Sequence, residues 1–467
     1  MTNLNHPALA ASLAALAVTA DAAAAPKPKP SAGKRPGIIV IMTDQQTAGA
    51  MSCAGNPWVK TPAMDALAAD GVRFTRAYCP FPLSGPCRAS LMTGRMPFEV
   101  GAFDNAIRPN GADMRAGIGH RLAGAGYECL YAGKWHVPEV NLPDSGTGFR
   151  RISKMDDPTL ADACDAALND YDGTKPLFLV ASLLNPHEIC EYGRNETLHY
   201  GELAPFSTDE CPNLPANFMP STYSAEALAL EHASSPRYHD TYTYTEDDWR
   251  RYLYAYYRLV ERVDREVGRI VGVLKAHGLY DDSAIIFLSD HGDGVAAHGW
   301  NQKWNLQEEV VNVPLIVKAP KGTGLEGVRN DEALSNVGLD LYATVCDYAG
   351  VIPDPERYRG RSLRPVAEGR QATLHDEVFV ETLLPGPGMR GWCIVGPRYK
   401  YVLYQWGRNR EALYDLQADP GEMVNLAVDR RYEGELNRLR RAMYDRGVGI
   451  GDPKLVRNLR PYAETRN

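Results

Sequence analysis

Residues 38–44 read Ile38-Ile39-Val40-Ile41-Met42-Thr43-Asp44, a continuous apolar run that stops on a carboxylate. A run with no polar alternation suits a strand covered on both faces, as strands are in a largely parallel sheet. Residues 177–182 (LFLVAS) and 284–289 (AIIFLS) repeat the pattern, and 313–318 add another such run beginning at Val313-Pro314. Residues 246–277 predict a long helix, because Leu253, Tyr256, Val260, Val263, Val267, Ile270, Val271 and Leu274 recur at helical spacing and Gly278 offers a stop. Strand, helix and polar loop in repetition argue for an α/β fold with a large, mostly parallel central sheet flanked by helices. Ligands bind such sheets beyond the carboxyl ends of the strands, where Asp44 and Asp290 both fall. Residues 188–245, rich in Tyr, His, Pro and Asp, read as a long loop of the functional kind. After about residue 370 the texture changes. Val378-Phe379-Val380, 392–396 and 399–404 suggest short antiparallel strands, with a terminal helix near 432–446. A large domain over 36–370 and a smaller C-terminal antiparallel-sheet subdomain over 371–467 are therefore expected.

The chain has 467 residues and a formal net charge of −8. That balance speaks against non-specific nucleic-acid binding, and it means that an anionic substrate must meet positive charge gathered locally. Residues 8–20 form a short Ala/Leu-rich run, followed by more Ala and a Pro/Lys segment. This is the pattern of a signal peptide over 1–25 and a linker over 26–35, although no Lys or Arg precedes the run. An exported protein, periplasmic or extracellular, is expected. The run is too short to span a membrane, and no later segment reaches that length. There are nine cysteines and no Cys-x-x-Cys pair, which excludes the usual structural zinc spacing. Cys190 and Cys211 flank a loop-rich stretch and could pair in an exported protein; buried thiols are the plainer reading.

The stretch Ser84-Gly85-Pro86-Cys87-Arg88-Ala89-Ser90-Leu91-Met92-Thr93-Gly94-Arg95 places a hydroxyl and a guanidinium at a helix start. Helix N-termini and the planar Arg fork both suit sulfate or phosphate; an ordinary Gly-Pro turn before a helix is the alternative. Asp44-Gln45 and Ser289-Asp290-His291-Gly292-Asp293 supply oxygen ligands of the type a hard divalent cation takes. Gly133-Lys134-Trp135-His136 would turn Lys134 and His136 to one face if extended. His187 follows a predicted strand in Asn185-Pro186-His187, and Lys303 lies in Trp300-Asn301-Gln302-Lys303-Trp304. Taken singly, each of these has a plain reading as a cap, a surface charge or a loop histidine.

Together, in this order, the motifs resemble the type I sulfatases of the alkaline phosphatase superfamily. There a Cys or Ser, any residue, Pro, any residue and Arg lead into Ala-Ser-Leu-Met-Thr-Gly-Arg, and Lys-x-His, Asn-Pro-His and a Lys after Ser-Asp-His-Gly surround the sulfate. The tail 413–426 (LYDLQADPGEMVNL) is also similar to the family's. The resemblance implies an alkaline phosphatase-like fold and hydrolysis of sulfate esters. It implies a formylglycine made from Ser84, and one Ca²⁺ held by Asp44, Gln45, Ser84, Asp290 and His291; Gln45 departs from the commoner Asp-Asp form. It implies that Arg88, Lys134 and Lys303 hold the sulfate and that Asp290 helps deprotonate the nucleophile. His187 or Lys303 would protonate the leaving alcohol, and His136 would take the proton that lets sulfate depart. A Ser-type protein of this family depends on a radical-type maturase. His298, Trp300 and Arg390 are candidate contacts to a sulfated glycan. The rival readings are a phosphodiesterase or phosphonate monoester hydrolase that uses Ser84 directly, and a non-catalytic sulfated-glycan binding protein.

Overall fold

The computed structural model describes residue 1 and residues 35–106, 111–137, 146–234, 241–353, 355 and 357–464. Apart from Met1 and Arg35, the expected leader and linker lie outside the described residues.

The apolar runs become strands. Those of the larger part are β1 (Gly37–Asp44), β2 (Val72–Phe74), β3 (Ala77–Tyr78), β4 (Glu128–Gly133), β5 (Arg150–Arg151), β6 (Leu177–Pro186), β7 (Ser283–Ser289), β8 (Leu315–Lys318), β9 (Val328–Asn330) and β10 (Ser335–Asn336). Eight of them form one sheet in the order β5-β4-β6-β1-β7-β8-β2-β9, while β3 pairs with β10. In the eight-stranded sheet every pairing is parallel except those made by β8, which runs against both β7 and β2. The last of the four predicted runs therefore belongs to the sheet but reverses in it, starting at Leu315, just after Pro314, where the chain regains its ladder donors.

The long helix spans Glu246–Ala276, and its N-terminus is capped by Thr245, whose Oγ1 accepts from Asp248 N at 3.2 Å. Its buried stripe, from Trp249 to Leu274, contains Tyr252 and Tyr256 as well as aliphatic residues. The stretch 188–245 is less bare than expected, since short helices at Ile189–Gly193 and Glu226–Ser234 break it.

The C-terminal part is a separate antiparallel sheet of β11 (Val378–Leu384), β12 (Met389–Val395), β13 (Tyr399–Tyr404) and β14 (Glu411–Asp415), covered by helices Glu433–Ile450 and Pro453–Glu464. It meets the larger part through main-chain bonds: Glu381 N donates to Pro80 O at 2.9 Å, four residues before Ser84. Among the described residues all nine cysteines are free. Cys190 and Cys211 do not pair: the Cys190 thiol points to Gln45 and Gln302, and that of Cys211 to Ser207 O.

Candidate active site

Strand order builds the site. The neighbours β4, β6, β1 and β7 are parallel and nearly in step: Gly133 stands opposite Ser182, Asp44 opposite Pro186, and Thr43 opposite Ser289. The residues that leave their carboxyl ends, Lys134, His187, Asp44 and Asp290, therefore emerge side by side. The buried helix Ser84–Thr93 brings its N-terminus to the same place. Ser84 Oγ lies 2.9 Å from His291 Nε2 and 3.3 Å from Asp44 Oδ1, and Asn105 Oδ1 accepts from Gly85 N.

Arg88, one helical turn further on, is 1% exposed. Its Nε donates to Asp290 Oδ2, its Nη2 to Asp44 Oδ2, and its Nη1 to both Lys134 O and Ser182 Oγ, all at 2.8 Å. Lys134 Nζ meets the same Asp44 oxygen at 2.8 Å. Burial alone would raise the Asp44 carboxyl, but Lys134 and Arg88 outweigh it and hold the group well below its ordinary value. Burial, and then the like charge of Asp44 beside it, push Asp290 up, although Arg88 and Lys134 pull it the other way.

His291 donates from Nδ1 to Gly292 O at 2.9 Å, which leaves the Nε2 lone pair facing Ser84. Burial and then Lys303 lower its pKa to about 3, so the ring is neutral. Oxygen atoms of Asp44 and Asp290 and a nitrogen of His291 lie within 4.8 Å of one another. Two carboxylates and a neutral imidazole make a donor set that fits a divalent cation. Gln45 stands beside this set, and its amide oxygen accepts from Lys303 Nζ at 2.7 Å and from the Cys190 thiol at 3.3 Å.

The expected side-by-side extension of Lys134 and His136 does not occur. His136 is left-handed at φ 47°, so the chain turns there. Its ring still faces the charges of Lys134, Asp44, Arg88 and Lys303, from an exposed edge of the cleft. His187 is half-buried, and burial followed by Lys134 and Lys303 pushes its pKa well down.

The three candidate glycan contacts separate. His298 and Trp300 line a cavity of about 710 Å³ together with His232, Gln307 and Arg408. Trp300 is not a free platform, because the His232 ring stacks on it at 4.7 Å. Arg390 is committed elsewhere: it is ion-paired to Asp452 at 2.8 Å and packed among Phe98, Phe103 and Trp392. Sequence reading misses Asn105, Ser182, Tyr252 and Tyr256 as residues of the site; it groups Asp293 with a cation's oxygen ligands and offers Cys190 only as a disulfide partner or a buried thiol. Tyr252 and Tyr256 carried a signal, as phenols on the buried stripe of a helix need partners.

A family model described as Sulfatase matches residues 36–351, and one described as N-sulphoglucosamine sulphohydrolase, C-terminal, matches 296–447. The chain belongs to the sulfatase family. The sulfatase is 30% identical over 428 residues to the Delta 4,5-hexuronate-2-O-sulfatase of Bacteroides thetaiotaomicron, with 86% of each chain covered. To the N-acetylglucosamine-6-O-sulfatase of the same organism it is 26% identical, over 90% of this chain and 87% of the other. A solved 2-O GAG sulfatase superposes with a TM-score of 0.78 at 28% identity, covering 90% of this chain and 93% of that one. A phosphonate monoester hydrolase from Silicibacter pomeroyi shares the fold, with a TM-score of 0.74 at 21% identity and coverage of 90% and 96%. The family makes the chain a sulfuric ester hydrolase. The α/β fold with a mostly parallel sheet and a small antiparallel one is borne out. No helix among the described residues is long and apolar enough to cross a membrane.

Proposed function

We propose that this sulfatase removes sulfate from a sulfated carbohydrate, using a formylglycine made from Ser84 and one Ca²⁺ held by Asp44, Gln45, Asp290, His291 and residue 84. The observation that carries the reading is the meeting of Ser84 Oγ with Asp44 and His291 beside Arg88 and Lys134, at one end of four parallel strands. The hydrated aldehyde supplies a hydroxyl to attack sulfur and a second one for release, and the cation supplies positive charge to acidify the nucleophile and draw density from the sulfate.

The chain's own groups do the rest. Arg88, Lys134 and Lys303 gather cationic charge around the sulfate, against the global balance of −8. Arg88 is rigid because both carboxylates grip it. Asp290 accepts the nucleophile's proton. His187 or Lys303 supplies the proton for the departing oxygen. His136, at the exposed edge, takes the proton that accompanies sulfate release.

Both named curated relatives act on sugar sulfates, a hexuronate 2-O-sulfate and an N-acetylglucosamine 6-O-sulfate, which supports a carbohydrate substrate. The cavity beside Trp300 and His298 has room for a neighbouring sugar, with Arg408 at its rim. The leader composition supports export, and Ser at position 84 supports maturation by a radical-type enzyme.

Mass spectrometry of the peptide containing residue 84, from the native host, is expected to show it two hydrogens lighter than serine. Turnover of defined sulfated mono- and disaccharides should accompany that mass. Full sulfatase turnover with an unmodified serine would overturn the nucleophile. Faster cleavage of aryl phosphate diesters than of any sulfate ester would overturn the substrate class.

A further inference from the structure

Asp293 stands behind the reacting groups, fully buried, and takes no part in the chemistry above. Its Oδ2 accepts from Gln45 Nε2 at 2.8 Å, Gln302 N at 3.1 Å and Tyr252 OH at 3.0 Å, and its Oδ1 accepts from Val295 N at 2.9 Å. All four partners are donors, which is the surrounding of an ionised, acceptor-only carboxylate. An amide facing such a group must present its NH₂, so the Gln45 oxygen is turned the other way. There it accepts from Lys303 Nζ at 2.7 Å, and an ammonium can only donate. The amide is thus oriented by an acceptor at one end and a donor at the other. The Gln45 backbone is fixed as well. At φ 68° it is left-handed, its N–H donates to Asp290 Oδ1 at 3.1 Å, and its carbonyl accepts from Tyr256 OH at 2.8 Å.

We infer that Asp293 is a positioning residue which, by orienting the Gln45 amide, sets where the Lys303 ammonium stands against the sulfate ester. The consequence for catalysis rests on the role proposed above for Lys303; the positioning itself does not. The relay explains why Gln45 serves where an acid would not: a carboxylate at position 45 would face the carboxylate of Asp293 across a hydrogen-bond distance. It also gives Tyr252, from the distant long helix, a purpose, since its hydroxyl holds Asp293 in place.

The test is a double-mutant cycle. Asp293→Asn in the mature holoenzyme is expected to lower kcat on the order of 10²-fold, the cost of misplacing a reacting group by about 1 Å. The loss should be steeper for aryl sulfates with poor leaving groups. In a Lys303→Ala background the same substitution should do little more. Additive losses, or a loss blind to the leaving group, would overturn the positioning role. Gln45→Glu should behave as Asp293→Asn does, and Gln45→Glu combined with Asp293→Asn should regain part of the rate, because an Asn amide can donate to the new carboxylate. If Asp293→Asn does not fold, Gln45→Glu against Lys303→Ala carries the cycle alone. A readout independent of turnover is calorimetric binding of inorganic sulfate to protein with Ser84 unmodified. Asp293→Asn should weaken that binding about tenfold, and not further once Lys303 is Ala. Coupled sulfate binding together with no sulfatase turnover by the matured, formylglycine-bearing protein would sink the proposed function and leave the relay standing; uncoupled binding would sink the relay.

Discussion

Arg88→Lys tests whether one guanidinium holds the floor of the site together. Arg88 makes four donations at 2.8 Å from three nitrogens, bridging Asp44 and Asp290 while reaching Lys134 O and Ser182 Oγ. A lysine keeps the charge but has a single nitrogen, which cannot span both carboxylates along one edge and also reach the two oxygens on the other side. At least two of the four bonds are lost. Each hydrogen bond to a charged group contributes about 1.5–3 kcal/mol, so the loss is about 3 kcal/mol or more. Arg88→Ala also removes the buried positive charge and should cost about 3–5 kcal/mol. Urea denaturation in chelator measures both, through the shift in midpoint at unchanged slope. In Ca²⁺ the Arg88→Lys deficit should shrink, because a cation on Asp44, Asp290 and His291 neutralises the charge the guanidinium no longer covers. A variant within about 0.5 kcal/mol of the parent in chelator, the range of an ordinary surface change, would refute the reasoning.

Chelation should abolish turnover and Ca²⁺ restore it, while Asp290→Asn should weaken Ca²⁺ binding by calorimetry; unchanged affinity would remove Asp290 from the ligand set. Burial pushes the Glu381 carboxyl up to about 8 despite the nearby Arg390. Between the ordinary glutamate value and that figure the unfolded chain has lost a proton that the folded chain keeps, so stability falls as pH rises, by at most about 1.4 kcal/mol per pH unit. Glu381→Gln should flatten the melting temperature between pH 5 and 8, and an unaltered slope would contradict this. Ala229→Trp, which narrows the cavity beside Trp300, should raise KM for sulfated oligosaccharides several-fold and spare monosaccharide sulfates; equal effects on both would place the neighbouring sugar elsewhere.

Much of the architecture is written locally. The runs at 38–43, 177–182 and 284–289 are all strands of the central sheet, and the predicted helix ends within a residue of where Ala276 closes it. Apolar continuity and helical period report burial directly, so they survive translation into three dimensions. The order of Asp44, Ser84, Arg88, Lys134, His187, Asp290 and Lys303 along the chain pointed to one site, and parallel register gathers them there. What local pattern does not carry is pairing. The reversal of β8, the left-handed turn at His136 and the commitment of Arg390 to Asp452 depend on neighbours far away in sequence. So does the bond from Gln45 to Asp293, made across 248 residues. The sequence alone therefore determined the strands, the long helix and the carboxylates at strand ends, because composition and period are properties of short segments, and its motifs pointed to sulfate-ester chemistry through their resemblance to the sulfatases. Only the tertiary structure decided that both Asp44 and Asp290 grip Arg88, which way the Gln45 amide faces and that the Trp300 face is covered by His232, because a hydrogen bond's direction is set by where strand order and packing put its other half.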